Sequence, residues 1–324
     1  MSRPGPRNSI TDVPGITVGN AEDHGMVTGT TVVLVEGQVT AAVDVRGGAP
    51  GVREAAALAP AATMQQAHAI SLSGGSAFGL DAAGGVMDWL RRRGTGIEIG
   101  PARVPIVPGA IIFDLLTGPG PEWETPPWWD LGVRAVEAAG QDFELGNAGA
   151  GMGATAGPIK GGLGTASATQ DALIVGALAI SNPVGGVTMP GSRHFWAWAL
   201  EQNGEFGGLG APETVGDVTE MPLSPSLANT TLVVVATNAR LSWNGAMRLA
   251  IMAHDGFAQA IRPVHSPLDG DTVFVLATGE VELPDPIHSL AKLGFMAADC
   301  SARAITRGVY EAESLAGIAA WRDL

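Results

Sequence analysis

Cysteine occurs once in the 324 residues, at Cys300. That excludes an intrachain disulfide and any zinc site built from several cysteines. Basic residues are also scarce, 18 Lys and Arg against 32 Asp and Glu, and the net charge is −14. The one basic run, Arg91-Arg92-Arg93, stands where a helix is expected to end and suits the helix dipole, so no nucleic-acid surface is predicted. No apolar run of about 18 residues escapes interruption by Gly, Pro or polar groups, so no membrane span is expected. Residues Met1–Ser9 lack the apolar stretch of a secretory signal, and a cytoplasmic protein is the expectation. Only 15% of residues are charged while 46% are hydrophobic, enough for a large core. Gly (46) and Pro (22) imply tight turns and close backbone approaches rather than a helical bundle.

Along the chain, Thr30–Val35 and Val39–Val45 are β-branched runs separated by Glu36-Gly37-Gln38, which predicts a hairpin. Ala69–Leu72 predicts a buried strand followed by Ser73-Gly74-Gly75-Ser76 and a helix with Ser76 as N-cap and Gly94 as stop. The nucleophile-elbow pattern G-x-S-x-G is not met there, because Phe78 stands two residues after Ser76. Val104–Leu115 predicts a strand, and Pro119–Trp129 a loop whose Trp123, Trp128 and Trp129 suit an oligomer contact or a lid. Gly149-Ala150-Gly151-Met152-Gly153-Ala154 matches a dinucleotide fingerprint, but Gly157, Pro158 and Gly161-Gly162 forbid the helix that must follow. No cofactor is expected. Residues 207–228 read as an exposed linker suited to cleavage. Ser242 starts a helix that ends by Pro263, and 284–319 is a long helical stretch with Cys300 on its apolar face.

Three segments carry chemistry. Asn229-Thr230-Thr231 precedes the run Leu232-Val233-Val234-Val235, a strand entering a core. A cut before Thr230 would place a hydroxyl nucleophile and a free α-amine on one residue, and an amine of pKa about 8 can take the hydroxyl proton. Asn182 directly follows the apolar strand Leu173–Ile180 and is placed either to donate hydrogen bonds into a site or to start a turn at Pro183. Asp269 and Asp271, two apart, project to one face of an extended chain, where two like charges should raise one pKa and give an acid/base or orienting pair, although Asp-Gly-Asp serves equally as a turn. His254 and His265 lack a third ligand at metal spacing, so packing or capping is expected of them and no metal site is predicted.

These segments, together with Asp44-Val45-Arg46-Gly47-Gly48-Ala49-Pro50-Gly51, Ser73-Gly74-Gly75-Ser76-Ala77-Phe78-Gly79 and Lys160-Gly161-Gly162-Leu163-Gly164-Thr165-Ala166-Ser167, occur in the order found in a known family. Over nearly its whole length the chain resembles the DmpA-like self-processing hydrolases: β-peptidyl aminopeptidases, D-/L-aminopeptidases and nylon-oligomer (6-aminohexanoate) hydrolases. The Asn229-Thr230 junction and the Asp-Gly-Asp pair look like the nylon-hydrolase branch. The resemblance implies an α/β fold, an αββα sandwich in one domain, autocatalytically cut into residues 1–229 and 230–324 and assembled as a tetramer of such pairs. It further implies Thr230 as nucleophile, Asp269 and Asp271 orienting it, and Asn182 holding the oxyanion. Some relatives carry Lys where Met152 stands and Tyr near Phe113; these two and Lys160 are candidate substrate-binding residues, and the single tyrosine, Tyr310, lies far from that stretch. The implied reaction is hydrolysis of short linear β- or ω-amino-acid amides. An α-aminopeptidase or an acyltransferase like the ornithine acetyltransferases is the alternative.

Overall fold

A computed structural model describes residues 2–59, 61–120, 123–214, 216–217, 219 and 229–324. In chain order its elements are β1 (Ile16–Asp23), β2 (Thr28–Val35), β3 (Thr40–Val45), β4 (Val52–Arg53), β5 (Ala69–Ser73), α1 (Ala82–Arg92), β6 (Ile97–Ile99), β7 (Ala102–Val104), β8 (Gly109–Ile111) and α2 (Trp128–Glu137). There follow β9 (Thr155–Ala156), β10 (Ile159–Lys160), β11 (Gly162–Gln170), β12 (Leu173–Ser181), β13 (Leu232–Ala239), α3 (Trp243–Ala253), α4 (Asp255–Ala260), β14 (Thr272–Val281) and α5 (Pro286–Tyr310). One sheet has the order β1-β2-β5-β8-β4 and the other β11-β12-β13-β14-β3, with β6-β7 and β9-β10 as small ribbons.

The layers follow from the burial of alternate residues. In β13, Leu232, Val234 and Ala236 pack between the two sheets with Val33, Ile70, Leu72, Leu178 and Phe274. Val233 and Val235 point the other way, into a cluster with Leu249, Phe257, Met296 and Ile305 of α3, α4 and α5. On the far side Val86 and Leu90 of α1 and Leu131 and Val136 of α2 cover Val32 and Ala69 of the first sheet. Strands buried on both faces have no polar side to alternate with, which is why β13 reads as a continuous apolar run. The result is an αββα sandwich, as expected.

Several local expectations are corrected. β2 and β3 are not a hairpin: β2 pairs with β1 and β5, whereas β3 crosses to the other sheet and pairs antiparallel with β14. The four-residue connection between them, 36–39, is short because the sheets are adjacent layers, not because the strands are partners. Ser76 caps nothing with its side chain; it begins a 3-10 turn ahead of α1, with φ +51°. The strand expected at Val104–Leu115 shrinks to Gly109–Ile111. Trp128 is fully buried and starts α2, so only Trp129 of that pair is exposed. The Ser242 helix breaks at His254 into α3 and α4, and Ser242 does cap it, accepting from Gly245 N–H at 3.2 Å. Cys300 is buried, as expected. Of the expected linker 207–228, residues 215, 218 and 220–228 lie outside the described residues, and 207–214 are largely exposed.

Candidate active site

The chemistry-bearing segments meet where β12, β13 and β14 begin or end. β13 and β14 run parallel with Leu232 opposite Thr272, so the residues preceding both strands emerge side by side. β12 is antiparallel to β13 with Ile180 opposite Leu232, which brings the residue after its last turn to the same edge. Pro183 has no N–H to prolong the ladder, and β12 stops at Ser181.

Thr230 lies in this junction, 3% exposed. Its N–H donates to the Asn182 carbonyl at 2.7 Å. Its hydroxyl donates to the Asn229 carbonyl oxygen at 2.5 Å. That same oxygen accepts the Gly270 N–H at 3.1 Å. The carbonyl of the Asn229–Thr230 bond is thus approached by a hydroxyl and by a fixed backbone donor. Asn229 is itself held by its N–H on the Leu268 carbonyl, 3.2 Å, and by Nδ2 on the Pro183 carbonyl, 3.2 Å.

Asn182 is fully buried; its Oδ1 accepts Thr155 N–H at 2.8 Å, and Nδ2 makes one long contact, 3.5 Å, to the Phe113 carbonyl. Thr155 belongs to the β9-β10 ribbon, so that ribbon sets the amide's orientation. Asp269 accepts Val184 N–H (3.0 Å), Ser266 N–H (3.1 Å) and the Ser266 hydroxyl (2.6 Å). Burial and then the neighbouring Asp271 charge push the Asp269 carboxyl up from its ordinary value. Asp271 accepts Thr231 N–H at 2.9 Å on one oxygen and His265 N–H and Nδ1 at 3.1 and 2.7 Å on the other. The two carboxylates therefore hold different segments around Thr230, one through Val184 and one through Thr231.

The remaining candidates lie apart from this cluster or touch it through backbone. Phe113 meets Asn182 only by its carbonyl. Met152 is buried beside a cavity of about 580 Å³ lined also by Glu22, Phe143 and Glu311, and none of Thr230, Asn182, Asp269 and Asp271 lines it. Lys160 is fully buried, and its Nζ donates to the carbonyls of Gly151, Ala154 and Gly161 at 2.9, 3.0 and 2.8 Å. Burial lowers its pKa to about 7, opposed by the Asp114 charge. These bonds pin the turn that carries Thr155, so Lys160 supports Asn182 from behind.

Sequence reasoning missed Gly270, Thr155, His265 and Asp114. Gly270 had a readable signal, the glycine between two aspartates: a Cβ there would lie 2.6 Å from Thr230 Oγ and 2.9 Å from the Ala49 carbonyl oxygen. Thr155 and Asp114 are distant in sequence from what they touch, whereas His265 lies only six residues before Asp271 but in no recognisable spacing.

Residues 8–321 match the model of peptidase family S58. An uncharacterized aminopeptidase of Mycobacterium tuberculosis is 45% identical over 98% of this chain and 98% of its own length. A 6-aminohexanoate-oligomer endohydrolase of Paenarthrobacter ureafaciens is 32% identical, covering 84% of this chain and 76% of that protein. Among solved structures, a Burkholderia β-aminopeptidase superposes with a TM-score of 0.73 at 22% identity, over 98% of this chain and 91% of that one. The L-aminopeptidase D-Ala-esterase/amidase of Ochrobactrum anthropi, described as a variant of the Ntn-hydrolase fold, gives 0.71 at 19% identity over 97% and 89%.

Proposed function

This chain belongs to peptidase family S58, a hydrolase family, and from that premise we propose that it cuts itself after Asn229 and then hydrolyses amides with Thr230 as its N-terminal nucleophile. The observation that carries the reading is the convergence of the Thr230 hydroxyl and the Gly270 N–H on the Asn229 carbonyl oxygen. In the first reaction Thr230 Oγ attacks the Asn229 carbonyl carbon, and Gly270 N–H receives the developing oxyanion. The C–N bond breaks, the hydroxyl proton ends on the departing nitrogen, and water hydrolyses the ester to free the Asn229 carboxylate and the Thr230 α-amine.

In the second reaction the neutral α-amine takes the Thr230 hydroxyl proton as Oγ adds to a substrate carbonyl. Asn182 Nδ2 and backbone N–H groups hold the oxyanion, the amine product leaves with a proton, and water resolves the acyl-enzyme. Losing one such donor costs about 100- to 1000-fold in kcat. Asp269 and Asp271 orient the nucleophile through Val184 and Thr231. The assembly we propose is a tetramer of the two-chain unit.

For substrate, the Asn-Thr junction and the likeness to 6-aminohexanoate-oligomer endohydrolases support short linear β- or ω-amino-acid amides, with the net charge of −14 favouring cationic amino ends. The 45% identity to proteins named aminopeptidases favours a second reading, release of α-amino acids. Turnover of L-alanine and β-alanine p-nitroanilides against the linear 6-aminohexanoate dimer separates the two, and a product that forms only with added glutamate would indicate acyl transfer instead. The test of the nucleophile is intact mass: the wild type yields fragments of 229 and 95 residues, and Thr230→Ala stays a single chain without activity. A Thr230→Ala protein that still splits would overturn the reading.

A further inference from the structure

His265 is a half-buried partner of the site that the mechanism above leaves unused. One oxygen of Asp271 holds Thr231 N–H; the other takes both of its donors from His265, the backbone N–H at 3.1 Å and Nδ1 at 2.7 Å. A single residue can present both groups to one oxygen because its backbone is left-handed, φ +53°, a conformation few side chains adopt. Facing a carboxylate, Nδ1 is the nitrogen that carries the proton.

The ring itself is wedged. His254 lies edge-on at 4.9 Å between centroids, and Phe257 at 5.5 Å. His254 is anchored in turn by Nε2 to the Asp44 carbonyl at 3.1 Å, and burial holds it neutral, with its pKa lowered to about 4. Asp271 is 1% exposed with the His265 ring in place, so the ring and not solvent supplies its second oxygen's side-chain donor.

We propose that His265 is a positioning residue for the nucleophile, acting through Asp271 on the Thr231 N–H and so on the placement of Thr230. The proposal rests on the reading of Thr230 as nucleophile. The two bonds that flank Thr230 are its own N–H to Asn182 and the next N–H to Asp271. Without the His265 ring, Asp271 keeps only a backbone donor on its second oxygen and is free to turn, and a displacement of about 1 Å at a reacting group costs about 100-fold in rate.

The test follows self-cleavage of the full chain after cell-free synthesis, which needs no knowledge of the substrate. An Asn side-chain amide sits near the position of the histidine Nδ1, and a Gln amide near Nε2. His265→Asn is expected to cleave within about threefold of wild type, and His265→Ala and His265→Gln about 10- to 100-fold more slowly. Wild-type speed in His265→Ala, or equal rates in the Asn and Gln variants, would overturn the proposal. Thermal melts accompany each variant; where His265→Ala does not fold, the Asn–Gln comparison decides. Cleavage in a parallel Thr230→Ala arm would refute the nucleophile and leave the His265 measurements without that meaning, so the two failures are told apart.

Discussion

Asp114 shows at the scale of one residue how burial sets protonation here. Its carboxyl is 2% exposed and receives Gly75 N–H and the Thr28 hydroxyl, each at 2.7 Å. Burial nevertheless wins over these bonds and over the Lys160 charge, raising its pKa to about 6. The native carboxyl keeps its proton up to about 6, whereas an unfolded one loses it near the ordinary carboxylate value. The stability this adds is present in full below that ordinary value and is lost as the pH rises through about 6. Asp114→Asn keeps an acceptor for Gly75 and carries no charge to desolvate. Its thermal midpoint should exceed the wild type's by most at pH 8 and by less at pH 5, the gap closing as the pH falls to the ordinary carboxylate value; a gap that is constant between pH 5 and pH 8 would contradict the assignment. Lys160 does not cancel the effect, because with a pKa of about 7 it is mostly neutral at pH 8.

At the scale of elements, the site is made by strand starts. β13 and β14 are parallel neighbours, and the turn before β14 lays the Gly270 N–H on the carbonyl preceding Thr230. That close approach leaves no room for a side chain as the backbone stands, since the added Cβ would lie 2.9 Å from the Ala49 carbonyl oxygen and 2.6 Å from Thr230 Oγ. Gly270→Ala must therefore shift the turn before β14, and the variant, checked by circular dichroism for a wild-type-like fold, should cleave itself at least about tenfold more slowly as the donor is pushed off the carbonyl. Cleavage at the wild-type rate would show that this donor is dispensable. The position of Thr230 ahead of a strand was legible, because Leu232–Val235 is an apolar β-branched run. Its neighbours were legible only as separate motifs. The pairing of β3 with β14 rather than β2 was not, since a four-residue connection suits a hairpin and a step between layers equally.

At the scale of the whole molecule, the proposed cut falls between strands of one continuous sheet. β11 and β12 would belong to the 229-residue chain and β13 and β14 to the 95-residue chain, with β3 returning from the first chain to close the far edge. The β12-β13 and β14-β3 ladders and the buried Arg303–Glu205 ion pair, 2.6 Å, would then all join one chain to the other. After cleavage the two chains should co-elute on size exclusion and separate only on a denaturing gel; separation under native conditions would show that the sheet does not survive the cut. The sequence by itself determined the burial of β13 and of Cys300 and, through its resemblance to a known family, the αββα class and the candidates Thr230, Asn182, Asp269 and Asp271. Those depend on local composition, on periodicity and on motif order, which a linear chain displays. Only the tertiary structure decided that Asp269 and Asp271 hold different segments, that Lys160 spends its ammonium on three carbonyls, and that His265 stands behind Asp271. Contacts of that kind depend on how a loop folds back on itself once the sheets fix its ends, and a lone histidine or lysine carries no sign of the carboxylate or carbonyl it will meet.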